Sequence, residues 1–122
     1  SVRPVFAAGL ADLYTPDHQL TDEIRLVSMP GHSPGHIGVS IKSQGESAFI
    51  TGDMIHHPCQ LAHPEWRSPF DFDGNTAQKT REQFLKDYVG SGTLVIGSHF
   101  ATPAAGHVVA DNGSYKLDIE NS

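Results

Sequence analysis

Pro30-Gly31-His32-Ser33-Pro34-Gly35-His36 lies between two apolar runs, Ile24-Arg25-Leu26-Val27-Ser28-Met29 before it and Ile37-Gly38-Val39-Ser40-Ile41 after it. Two prolines and two glycines exclude a helix here and hold the backbone in a fixed turn. The reading is therefore strand, rigid turn, strand, with both imidazoles on the turn. Rigid turns at strand ends are where metal ligands and catalytic groups are commonly mounted.

The pattern recurs twice. Ser47-Ala48-Phe49-Ile50-Thr51 runs into Gly52-Asp53, and Thr93-Leu94-Val95-Ile96 runs into Gly97-Ser98-His99. Each apolar strand ends near a glycine with a polar, ligand-type residue after it. If the three strands lie side by side with one orientation, His32, Asp53 and His99 converge on one edge of a sheet. Two imidazoles and a carboxylate suit zinc or a similar divalent ion. Any one glycine–polar step is an ordinary strand ending; the three together favour the metal reading.

His-Ser-Pro-Gly-His, Thr-Gly-Asp and Gly-Ser-His, at the intervals that separate His32, Asp53 and His99, resemble the second half of the metallo-β-lactamase-fold hydrolases. The methyl parathion hydrolase and N-acyl homoserine lactone lactonase branches are the most similar. The resemblance runs from about Ile24 to about His107. It implies an α/β fold, half of an αββα sandwich, and two divalent metal ions, zinc by family habit. It implies His32 as a ligand of the first metal, Asp53 as the carboxylate bridging both, and His99 as a ligand of the second. His36 is not a ligand in the family pattern. The implied reaction is attack by a metal-bridging hydroxide on a small lactone, ester or phosphotriester, with Asp53 and His56 as the catalytic residues of this chain.

The family's His-x-His-x-Asp-His motif does not occur, and only His18 precedes His32. Residues 1–122 are therefore expected to form the C-terminal half of such a domain. The N-terminal half, or a second copy, is expected to complete it. The alternative is a non-catalytic fragment or assembly module that binds metal weakly and needs a partner half.

His56 stands three residues past Asp53, where the lactonases are expected to place a substrate-touching tyrosine. It is read either as a hydrogen-bond donor to a developing oxyanion or leaving alkoxide, or as a packing histidine. The segment 54–70 contains His56-His57-Pro58-Cys59, His63-Pro64-Glu65-Trp66 and Ser68-Pro69-Phe70, and its prolines predict a long ordered loop. Trp66 and Phe70 would line a substrate pocket or pin that loop down. Asp71-Phe72-Asp73-Gly74-Asn75 is not a calcium loop, because its glycine falls too early. Asn75 instead reads as the cap of a helix over 76–89, with Arg81 and Lys86 on its solvated face.

The flanks are simpler. Phe6 to Leu13 reads as a short helix. Ser43-Gln44-Gly45-Glu46 and Asp111-Asn112-Gly113 read as hairpin turns. The chain has 122 residues, enough for one domain. Its hydrophobic fraction of 38%, with 12 Gly and 8 Pro, predicts many turns and an apolar face that needs covering. A net charge of −6 without a basic patch argues against nucleic acid as partner. The single cysteine, Cys59, excludes an internal disulfide and reads as an inert packed thiol. No apolar run approaches the ~20 residues of a membrane span, and the expectation is a soluble protein of cytoplasm or periplasm.

Overall fold

The computed structural model describes residues 2–120. It is a mixed six-stranded sheet in sequence order: β1 (Ile24–Ser28), β2 (Ile37–Ser43), β3 (Glu46–Ile50), β4 (Leu94–Ile96), β5 (Ala105–Asp111) and β6 (Ser114–Asp118). All neighbours pair antiparallel except β3 and β4. A parallel pair needs a crossover, and residues 51–93 supply it with α2 (Cys59–Ala62) and α3 (Gly74–Tyr88).

Two hairpins form where the turn chemistry expects them. Gln44 and Gly45, and Asn112 and Gly113, all have positive φ, as the tight two-residue hairpin turn requires. The orientation of the three ligand-bearing strands is also as expected: β1, β3 and β4 run the same way. They are not all side by side, because the return strand β2 lies between β1 and β3.

α3 packs on one face of the sheet. Phe49 of β3 meets Phe84 and Tyr88 of α3 at ring-centroid distances of 5.0 and 5.1 Å. Val95, Val108, Leu85, Ile55 and Leu61 complete this fully or nearly fully buried core. The other face is different. The register sets Ile24, Ile41, Ala48 and Leu94 in one row, and Leu26, Val39, Ile50 and Ile96 in the next. All eight are apolar and only partly buried, and none belongs to the core or packs against it. The sheet is thus apolar on both sides and covered on one.

Four local expectations need correction. The first helix, α1, spans Arg3–Ala7 rather than Phe6 to Leu13: Pro4 starts it, and Gly9 at φ +67° ends it. The cap of α3 is Asp73, not Asn75. Its Oδ1 accepts from the backbone N–H groups of Asn75 and Thr76, at 3.0 Å each, so the helix begins at Gly74. The segment after Asp53 is not loop throughout: a 3-10 turn covers Gly52–Met54, and α2 forms directly after Pro58. Arg81 is not on a solvated face; it is 0% exposed, beneath the segment that follows Asp53. No helix among the described residues is long and apolar enough to cross a membrane.

Candidate metal centre

β1, β3 and β4 deliver His32, Asp53 and His99 to one end of the sheet. There the Asp53 carboxylate divides itself: Oδ1 lies 2.6 Å from His99 Nε2 and Oδ2 lies 3.3 Å from His32 Nε2. His56 sits between the two rings. Its centroid is 5.1 Å from that of His32 and 5.1 Å from that of His99, the latter nearly parallel at 18°. Three imidazoles thus surround one carboxylate.

The backbone around this cluster is held by side chains that bear no ligand role in the sequence pattern. His36 Nδ1–H donates to the Met29 carbonyl at 2.9 Å, and its Nε2 accepts from the Asp53 N–H at 2.8 Å. The second histidine of the loop therefore ties the first motif to the second. Asp71, whose side chain is 2% exposed, accepts the His32 Nδ1–H at 3.1 Å and the Ser68 N–H at 3.1 Å. That bond turns His32 Nε2 towards Asp53. Pro30 is seated on α3 through Thr80 Oγ1, which donates to its carbonyl at 2.7 Å.

Electrostatics follow from this packing. Burial alone would raise the pKa of the Asp53 carboxyl. The His99 hydrogen bond and then the charges of His32, His99 and His56 outweigh it, and hold Asp53 below the usual carboxylate value. For His56, burial comes first and the neighbouring His32 and His99 add to it; all three disfavour the imidazolium, so its pKa falls. Burial likewise lowers the pKa of Arg81, opposed by the nearby Asp71 carboxylate.

The donor set fits a divalent metal ion. Asp53, His56 and His99 each offer a ligand atom, all within 4.8 Å of one another. His56 Nδ1 is buried and, among the described residues, finds no hydrogen-bond partner. A buried nitrogen without a partner is costly, and an incoming ligand would relieve it. Imidazole and carboxylate together suit zinc and its neighbours. His32 addresses the same carboxylate from the other oxygen.

Trp66 and Phe70 do not reach into the core. Trp66 is 52% exposed and stacks on His63 at 4.3 Å, and Phe70 is 79% exposed. Cys59 is partly buried and free. The site is open, with the His99 side chain 51% exposed. A groove of about 450 Å³ lies elsewhere, between β1 and α3, lined by Val27, Met29, Phe84 and Tyr88 among others; it contains neither Asp53 nor a histidine. Asp71, His36 and Arg81 were not singled out as site residues by their spacing. The signal for His36 was its place in the loop motif, and for Arg81 its helical spacing four residues after Ala77 and four before Leu85; Asp71, distant from all three motifs in sequence, carried none.

No family model matches the sequence. No curated protein matches it either. Solved structures do. The crystal structure of hydrolase AbOPH, in the β-lactamase superfamily, superposes with a TM-score of 0.86 at 26% identity, over 98% of this chain and 42% of that one. AidC, described as a dizinc quorum-quenching lactonase in complex with a product, superposes at 0.81 with 24% identity, over 90% of this chain and 38% of AidC. An N-acyl homoserine lactone hydrolase with product bound at its catalytic metal centre superposes at 0.62 with 21% identity, over 75% of this chain and 36% of that one. The chain thus spans about two-fifths of the length of the proteins it resembles. The motif resemblance and the fold agree: this chain is built on the metallo-β-lactamase fold, and the structures it is similar to are those of hydrolases, AbOPH being described as one of the β-lactamase superfamily.

Proposed function

We propose that this chain is the C-terminal half of a metal-dependent hydrolase domain. Completed by its other half, it would hold two divalent ions, zinc by the chemistry of the donors, and hydrolyse small lactone, ester or phosphotriester substrates. One observation carries this reading: a single carboxylate, Asp53, offers one oxygen towards His32 and the other towards His99. A side chain placed so can bridge two ions, His32 serving one and His99 the other. The buried, partnerless His56 Nδ1 adds a donor on the His99 side. The uncovered apolar rows of the sheet support the missing half, since two sheets packed face to face bury such rows against each other. AidC's description as a dizinc lactonase supports both the ion count and the substrate class.

Bound divalent ions would supply Lewis acidity at the scissile carbonyl or phosphoryl group and acidify a water for attack. The chain's own residues do the rest. Asp53, held ionised, sets the spacing of the site. Asp71 keeps the proton on His32 Nδ1 and leaves Nε2 free to ligate. His56, neutral at neutral pH, has one N–H with which to steady a leaving alkoxide. Trp66 and Phe70 lie exposed on the segment after Asp53 and offer apolar surface to a substrate once the domain is complete.

Elemental analysis of the intact protein, with turnover of lactones and phosphotriesters, tests the reading. About two ions per site and turnover that is lost on chelation and restored by zinc are expected. One weakly held ion and no turnover would favour the alternative, a non-catalytic assembly module. Asp71→Asn is expected to weaken metal retention by about 10–100-fold. In either orientation the amide points an NH2 group at a neighbouring donor, at Ser68 N–H or at His32 Nδ1–H. Unchanged retention against a chelator would remove Asp71 from the argument.

A further inference from the structure

Arg81 is the largest fully buried side chain of the described residues. Its guanidinium bonds to three backbone carbonyls: Nε to Pro64 at 3.0 Å, Nη1 to Met54 at 3.0 Å and Nη2 to Trp66 at 3.1 Å. A buried charge carries a desolvation cost, which its bonds to these carbonyls offset. What the guanidinium provides is geometry: one rigid fork that holds three carbonyls at once.

Those carbonyls belong to one segment. Met54 directly follows Asp53, and Pro64 and Trp66 lie at the far end of the same excursion. Gln60, also buried, joins the two ends. Its Oε1 accepts the His56 N–H at 2.8 Å and its Nε2 donates to the Trp66 carbonyl at 2.8 Å. The Trp66 carbonyl is thus shared by Arg81 and Gln60, and the chain of bonds ends on the backbone of His56.

We propose that Arg81, acting through the Met54 and Trp66 carbonyls and Gln60, is a positioning residue that sets where Asp53 and His56 stand in the metal centre. The proposal rests on the hydrolase reading above and adds to it a determinant on α3 that touches neither metal nor substrate. The Asp71 carboxylate, which orients His32, favours its charge. Through backbone bonds the one buried cation bears on Asp53 and His56.

The test uses the intact protein loaded with cobalt(II), whose visible spectrum reports ligand geometry. Spectrum, retention against a chelator, kcat and KM are measured for Arg81→Lys, Gln60→Met and Leu85→Ala. Lysine keeps the charge but cannot fork across three carbonyls. Arg81→Lys is expected to shift the cobalt bands, weaken retention by about tenfold or more, and lower kcat by a similar factor with KM little changed. Leu85→Ala removes core packing on the same helix and is expected to lower the melting temperature while leaving spectrum and kcat as in the wild type. A wild-type cobalt spectrum and kcat in Arg81→Lys, with stability alone reduced, would overturn the proposal. If Arg81→Lys does not fold, Gln60→Met decides by the same readouts: shifted bands support the role and unchanged bands overturn it. A wild-type protein that takes up no cobalt would overturn the hydrolase reading itself, and the positioning role with it.

Discussion

Replacing Asp53 with alanine is expected to empty the metal centre and abolish hydrolysis. Asp53 is the carboxylate that meets both His32 and His99, and His56 lies against both rings, stacked on His99 and tilted to His32. Without it three imidazoles face one another with no anion among them, and no oxygen remains to hold two ions together. Metal assistance is worth several kcal/mol of transition-state stabilisation, so activity should fall by about a thousandfold or more. Elemental analysis and kcat/KM of the intact protein check this. The control is stability: Asp53 lies at the site's open mouth and its side chain is 39% exposed, so the apo variant should melt close to the apo wild type. A variant that keeps its metal and its rate would sink the assignment of the site.

Gly31→Ala is expected to have the largest effect on folding. Gly31 adopts φ +132°, a conformation that side chains disfavour. A methyl there would also lie 2.3 Å from the Cα and N of Ala77, which are backbone atoms of α3 and cannot turn aside. Strain and overpacking together should cost at least about 3 kcal/mol. The loop would also lift from α3, to which it is joined by Thr80 on Pro30 and by the Asp73 N–H on the Gly31 carbonyl. Gly35→Ala is an internal control in the same loop. A Cβ at Gly35 meets nothing within 4 Å, so that change should stay within about 0.5 kcal/mol. Urea melts of the two variants separate them. Equal stability would show that the seat of the loop on α3 is not what holds His32 in place.

The two glycines carry a wider lesson. Spacing in the sequence marks both as loop formers, and does not say that one touches a helix more than forty residues away. The same holds for the histidines. By residue type and loop chemistry alone His32 and His36 look alike, yet one faces Asp53 with its side chain and the other accepts the Asp53 backbone N–H.

Local chemistry decided much by itself. Apolar runs bounded by glycine and proline marked the first strands, and the glycines of Gln44-Gly45 and Asn112-Gly113 placed the hairpins, because glycine takes positive φ without strain. The three strand-end motifs marked His32, Asp53 and His99 because a glycine turn followed by a ligand-type residue is a short-range pattern. Only the tertiary structure decided what depends on contacts between distant segments. It brought the three motifs together through parallel running of β1, β3 and β4 with β2 interposed. It placed His56 between two imidazoles and left its Nδ1 without a hydrogen-bond partner among the described residues. It buried Arg81, whose charge suggests solvent although its spacing from Ala77, Phe84 and Leu85 sets it on the inward face, because the segment after Asp53 folds back over α3 and offers three carbonyls to its guanidinium.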